Sequence, residues 1–87
     1  MAVVEIYTKT WCAYCRMAKA LLSKEGIDFE EIDVTFDIEK EQEMKQRSGR
    51  YTVPQIFIGN EAIGGFTELA QLSAKVNLLE LVTDGNE

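Results

Sequence analysis

A four-stranded mixed β-sheet with helices on both faces is the α/β fold this sequence predicts, and three observations predict it. Short β-branched and aromatic runs alternate with stretches of helical periodicity along the chain. Two of the later apolar runs are separated only by Gly59-Asn60, a two-residue hairpin signal. The length of 87 residues, with 46% hydrophobic and 28% charged content, suits one globular domain spanning residues 1–87. Its radius of gyration should be roughly 12 Å.

Taken in order, Val3-Val4-Glu5-Ile6-Tyr7-Thr8 reads as a strand largely buried on both faces. Lys9 to Tyr14 is a loop running into a helix from Cys15 to about Glu25. There Met17, Ala18, Leu21 and Leu22 form the apolar stripe, and Gly26 stops it. Ile27 to Val34 alternates as a second strand. Asp37 can cap a polar helix that runs to Ser48 and ends at Gly49. Gln55–Ile58 and Glu61–Ile63 flank the turn. Thr67 can cap a helix that turns Leu69, Leu72 and Val76 inward. Leu78, Leu79, Leu81 and Val82 make a short last helix, and Asp84 to Glu87 should fray. The order is βαβαββα plus a short C-terminal helix. Its strand–helix–strand unit favours a parallel crossover, and its hairpin supplies antiparallel pairing.

Composition excludes several chemistries. With no histidine, Ser-His-Asp and Cys-His catalysis cannot arise within this chain. Two cysteines without histidine cannot close a four-ligand zinc site without a second chain or exogenous ligands. A net charge of −6 argues against nucleic-acid or anionic-membrane binding. No apolar run approaches the ~18 residues of a membrane span, and no basic-then-apolar leader is visible, so a cytoplasmic protein is expected. The charge is unevenly spread. Ile6–Lys24 and Met44–Asn60 contain no acids yet hold Lys9, Arg16, Lys19, Lys24, Lys45, Arg47 and Arg50, seven of the nine cationic residues. Should these segments meet, they would form a positive rim suited to a small anion and a thiolate.

The remaining signal is the Cys12-x-x-Cys15 pair at the junction of the first strand and first helix. Unpaired N–H groups and the positive helix end favour the thiolate of Cys12, and Lys9 adds a cation. Thiolate is the nucleophile of thiol–disulfide exchange. Cys15, one turn on and less exposed, is placed to attack a mixed disulfide on Cys12. Two buried structural cysteines are the alternative, but a C-x-x-C at this junction of a βαβ unit is a redox signal.

Thr10-Trp11-Cys12-Ala13-Tyr14-Cys15, Thr52-Val53-Pro54-Gln55-Ile56-Phe57-Ile58-Gly59 and Gly64-Gly65-Phe66-Thr67-Glu68-Leu69 resemble the three signature segments of glutaredoxins in order and spacing. The resemblance covers nearly the whole chain and implies a thioredoxin-like fold. It implies a dithiol, glutathione-dependent oxidoreductase of thiol redox homeostasis. Such an enzyme reduces glutathionylated proteins and protein disulfides, with ribonucleotide reductase a candidate client, and works as a monomer. Cys12 is then the nucleophile and Cys15 the resolving thiol.

The resemblance also implies a glutathione site. Val53 pairs its backbone with the cysteinyl unit beside Thr52 and a cis Pro54, while Gly65, Phe66 and Thr67 hold the γ-glutamyl end. Gly64-Gly65 lets a ligand approach closely. Lys9 meets the glycine carboxylate, and Tyr14 lines the groove. Thr67 stands where an acidic or serine residue is frequent and brings no negative charge. Glu41 stands where a basic or glutamine residue often helps Lys9, with Arg50 a substitute. No resident metal is implied. Alternatives are a [2Fe–2S] carrier dimer ligated by Cys12 and glutathione, since Ala13 replaces a frequent proline, and a redoxin reduced by thioredoxin reductase.

Overall fold

Backbone pairing supplies the strand order that periodicity leaves open. The computed structural model describes residues 2–84. β1 (Val4–Thr8) pairs in parallel with β2 (Glu30–Asp33) and antiparallel with β3 (Gln55–Ile58), which pairs antiparallel with β4 (Glu61–Gly64). The sheet order is β2-β1-β3-β4. The parallel step is bridged by α1 (Ala13–Lys24), and β2 leads to α2 (Ile38–Ser48); α3 (Phe66–Lys75) and α4 (Leu78–Asp84) close the chain. The radius of gyration is 12.1 Å.

Alternation along the central strands builds two cores. Val4, Ile6, Ile56 and Ile58 pack with Ala18 and Leu22 of α1, Leu69 of α3, and Leu78 and Val82 of α4. On the other face Tyr7 and Phe57 meet Val34 and Met44 of α2. Helices therefore cover both faces, as predicted.

Local signals set most element ends. At α1 the N–H of Gly26 donates to Ser23 O and that of Ile27 to Leu22 O, a paired bond pattern that also brings two core side chains together. Asp37 caps α2 by accepting from the Lys40 N–H at 3.0 Å, and Gly49 ends it. The hairpin turn has φ of 58° at Gly59 and 71° at Asn60, both positive as a type I′ turn requires.

Several expectations need correction. α1 begins at Ala13, with Cys12 as its cap, because the Cys12 sulfur already accepts a first-turn N–H. Met17 points to solvent, since α1 buries only Cys15, Ala18 and Leu22. Val3 is exposed ahead of β1, and Ile27 and Phe29 precede β2 as packing residues in a non-strand segment. The cap of α3 is Gly65, and Thr67 lies inside the first turn. Val76 is an exposed C-cap and Leu79 is exposed. Asp84 closes α4, while fraying of residues 85–87 lies outside the described residues.

Candidate active site

The parallel β1–α1–β2 unit delivers Cys12 to the end of the sheet. β1 ends at Thr8, four residues bridge to α1, and Cys12 occupies the cap position in extended conformation (φ −100°, ψ 106°). Its Sγ accepts the Cys15 N–H at 3.0 Å, and its carbonyl accepts the Arg16 N–H at 3.2 Å. A sulfur held by a first-turn N–H at a helix start sits where negative charge is stabilised. Cys12 is disulfide-bonded to Cys15, with Cα atoms 5.2 Å apart. Cys15 is only 2% exposed on the inner side of α1. The two thiols thus differ in access, the property that separates an attacking from a resolving cysteine.

Beside the disulfide runs a groove of about 160 Å³ lined by Tyr14, Thr52, Val53, Pro54, Gly65, Phe66 and Thr67, with Arg50 and Glu68. Three separated sequence segments converge there. Cys12 Sγ lies 3.9 Å from Val53 O, and the Val53–Pro54 bond is cis, as the resemblance implies. Tyr14 and Phe66 stack with ring centroids 6.2 Å apart, closing one wall between α1 and α3. A larger cavity of about 320 Å³ lies between Ala2–Val4, Gly26–Glu30 and α4, and it holds none of these residues.

The cationic rim does not form as expected. Lys9 is not in the groove lining and pairs with Glu41 at 2.8 Å, holding that carboxyl below the usual range. Lys19 pairs with Glu31, Arg47 with Glu5, and Arg50 with Glu68. Acids from other elements therefore pair with four of the seven bases, Lys9, Lys19, Arg47 and Arg50. Arg50 lines the groove and sits 3.5 Å from Glu68 of α3, whereas Lys9 is not in the lining.

One groove residue, Glu68, and one buried residue behind the groove wall, Gln55, have roles that the sequence motifs do not announce. Glu68 accepts the Gly65 N–H at 2.8 Å, which with its own N–H lowers its carboxyl pKa. A Cβ at Gly64 would fall 2.9 Å from Glu68 Cγ, and φ there is +118°. The missing side chain at Gly64 thus makes room for this capping carboxylate, rather than for a ligand. Only its spacing, three residues after Gly65, could have revealed the cap. Because folding lowers this carboxyl below its unfolded value of 4.5, its stabilisation is present above that pH and lost as pH falls through the folded value. Glu68→Gln should flatten the acid limb of stability measured by urea unfolding; an unchanged limb would refute the assignment.

Gln55 is the second. It is buried, and its Nε2 donates to Thr52 O at 3.0 Å and Thr52 Oγ1 at 3.2 Å, pinning the loop that forms the groove wall. Its Oε1 has no partner among the described residues. A glutamine opening an otherwise apolar strand was the available signal. Among the described residues no group of three or more His, Cys, Asp or Glu could hold a metal ion.

Known proteins resemble this chain in sequence and in fold. The family model described as Glutaredoxin matches residues 4–63. The chain is 53% identical over 78 residues to Glutaredoxin 3 of Escherichia coli K12, covering 90% of this chain and 94% of that protein. The solution structure of glutaredoxin from Brucella melitensis superposes with a TM-score of 0.84 at 45% identity, covering 100% of this chain and 95% of that one. The crystal structure of a buckwheat glutaredoxin–glutathione complex superposes with a TM-score of 0.85 at 26% identity, covering 95% of this chain and 78% of that one.

Proposed function

The chain belongs to the glutaredoxin family and is a thiol–disulfide oxidoreductase, and on that premise we propose that glutathione is its electron donor and that Cys12 is the nucleophile. One observation carries the reading: Cys12 Sγ stands at the mouth of a groove that Tyr14, Thr52–Pro54 and Gly65–Thr67 line together. The buckwheat protein's complex with glutathione supports it.

The Cys12 thiolate attacks the glutathione sulfur of a mixed disulfide. The client leaves as a thiolate, and Cys12 becomes disulfide-bonded to glutathione. A second glutathione thiolate attacks that bond, releasing glutathione disulfide and restoring the Cys12 thiolate. With a protein disulfide, Cys15 attacks Cys12 Sγ in the mixed disulfide, expelling the client thiol and forming the Cys12–Cys15 bond. Two glutathiones then reduce that bond.

In the groove, Val53 meets the cysteinyl unit and the first-turn N–H groups of Phe66 and Thr67 take the γ-glutamyl carboxylate, with Arg50 beside them. Glu68 brings the negative charge that Thr67 lacks. Lys9 takes the glycine carboxylate in competition with Glu41. We place the reaction in the cytoplasm, where glutathione keeps thiols reduced. The [2Fe–2S] dimer and the thioredoxin-reductase route are not proposed, since no observation on the site favours either.

Turnover of a small glutathione mixed disulfide, coupled through glutathione reductase to NADPH oxidation, tests this reading; activity only with thioredoxin reductase would overturn it. Glu41→Gln releases Lys9 and should lower the KM for glutathione about twofold to fivefold, the worth of an exposed ion pair. The gain should shrink in high salt. An unchanged KM would remove Lys9 from the site.

A further inference from the structure

Outside the groove lining, large apolar side chains stand in solvent. Trp11 is 90% exposed, Phe36 97% and Ile38 71%. They belong to different segments that one junction joins: the Thr10 N–H donates to Thr35 Oγ1 at 2.7 Å, and the Thr10 hydroxyl donates to the same oxygen at 3.2 Å, since the one Thr35 hydroxyl proton goes to Asp33 Oδ1 at 2.6 Å. Trp11 and Phe36 each follow that junction by one residue, and Cys12 follows Trp11. Trp11 also has φ of 67°, a left-handed conformation costly for a bulky aromatic residue. The chain thus sustains backbone strain to hold an exposed indole beside the reactive sulfur. The segment that carries Phe36 and Ile38 is acidic. Asp33, Asp37 and Glu39 are exposed, while the nearby bases Lys9 and Lys40 are paired with Glu41 and Glu43.

We propose that Trp11, Phe36 and Ile38 dock the polypeptide flanking the reactive cysteine of a glutathionylated protein, favouring an apolar side chain next to that cysteine and a basic one beyond it. The inference rests on the reading of the groove as the glutathione side. When Cys12 attacks a glutathionylated client, the leaving client sulfur lies one S–S bond, about 2 Å, beyond the glutathione sulfur under attack, which places its flanking residues on the surface around Cys12. The groove holds the tripeptide, so the polypeptide crosses the surface outside it. Exposed apolar side chains there gain by being covered, and the acids select a basic neighbour.

The test compares two disulfides reduced by the full chain. One is a peptide with a glutathionylated cysteine flanked by Leu and Arg; the other is a small glutathione mixed disulfide. Phe36→Ser/Ile38→Ser should lower kcat/KM about tenfold on the peptide, from the apolar area left uncovered, and leave the small substrate unchanged. Replacing the peptide's Leu and Arg by Ser and Glu should cost the unsubstituted protein a similar factor. Equal loss on both substrates, or none on the peptide, would overturn the proposal. So would a dimer of the unsubstituted protein that the double substitution dissolves, which would assign the face to a second copy. Single-turnover reduction of the peptide by the pre-reduced protein needs no glutathione, so the docking result stands apart from failure of the glutathione cycle.

Discussion

Cys12→Ser should bring turnover of a glutathionylated substrate down to the uncatalysed background, while Cys15→Ser should keep most of it and lose protein-disulfide reduction. The contrast follows from placement. Cys12 caps α1 with its sulfur held by the Cys15 N–H and lies 3.9 Å from Val53 O at the groove. Cys15 is 2% exposed behind it and meets a substrate only through Cys12. Exchange with a glutathione mixed disulfide needs one protein thiol, whereas a protein disulfide leaves a covalent complex that Cys15 must resolve. Steady-state assays of both variants on both substrate types check this. Equal inactivity of the two variants on the glutathionylated substrate would refute the one-thiol route.

The features legible in the sequence are those whose cause is local. Asp37 and Gly49 bound α2, Gly26 stops α1, and Gly59-Asn60 turns the hairpin, each through bonds within a few residues. The cysteine pair and the Thr52–Pro54 and Gly65–Thr67 segments were legible as motifs, and they converge on one groove. What escaped depends on distant partners. Nothing near Lys9 announces Glu41, 32 residues on, so a base that reads as free is half-neutralised. The acid-free stretches suggested a rim, yet β1, β2, α2 and α3 each contribute a carboxylate that meets one of their bases. Met17 fits the helical stripe but falls beyond the arc that the sheet covers. Thr67 looked like a cap by residue type, whereas the structure uses Gly65, which has no side chain, with Glu68 closing the bond from below.

The polar helix α2 hides the strongest of these long-range contacts, and it carries a second large expectation: Arg47→Met should destabilise the fold by about 2–3 kcal/mol. One guanidinium serves four groups on the outer face of the sheet. Its NH1 donates to Tyr7 OH at 2.7 Å, and its NH2 donates to Glu5 Oε1 at 2.8 Å and to Asn60 Oδ1 at 3.3 Å. Its Cζ lies 4.0 Å from the centroid of the Phe57 ring. β1, β3, the hairpin turn and α2 are thereby tied at one point. Burial pushes the Tyr7 phenol up in pKa, and the Arg47 hydrogen bond pulls it back. Methionine preserves the aliphatic stem and covers Phe57, but it strands the half-buried Glu5 carboxylate and removes the donor to a fully buried tyrosine. In a domain of this size the loss corresponds to a fall in Tm of roughly 8–24 °C. Lysine should not restore it, because an ammonium cannot lie flat on the ring while bonding two acceptors. Glu5→Gln added to Arg47→Met should recover part of the loss, since it removes the unpaired charge. Thermal and urea unfolding of the three variants measure these differences. A loss below about 1 kcal/mol for Arg47→Met would reduce this cluster to an ordinary surface ion pair.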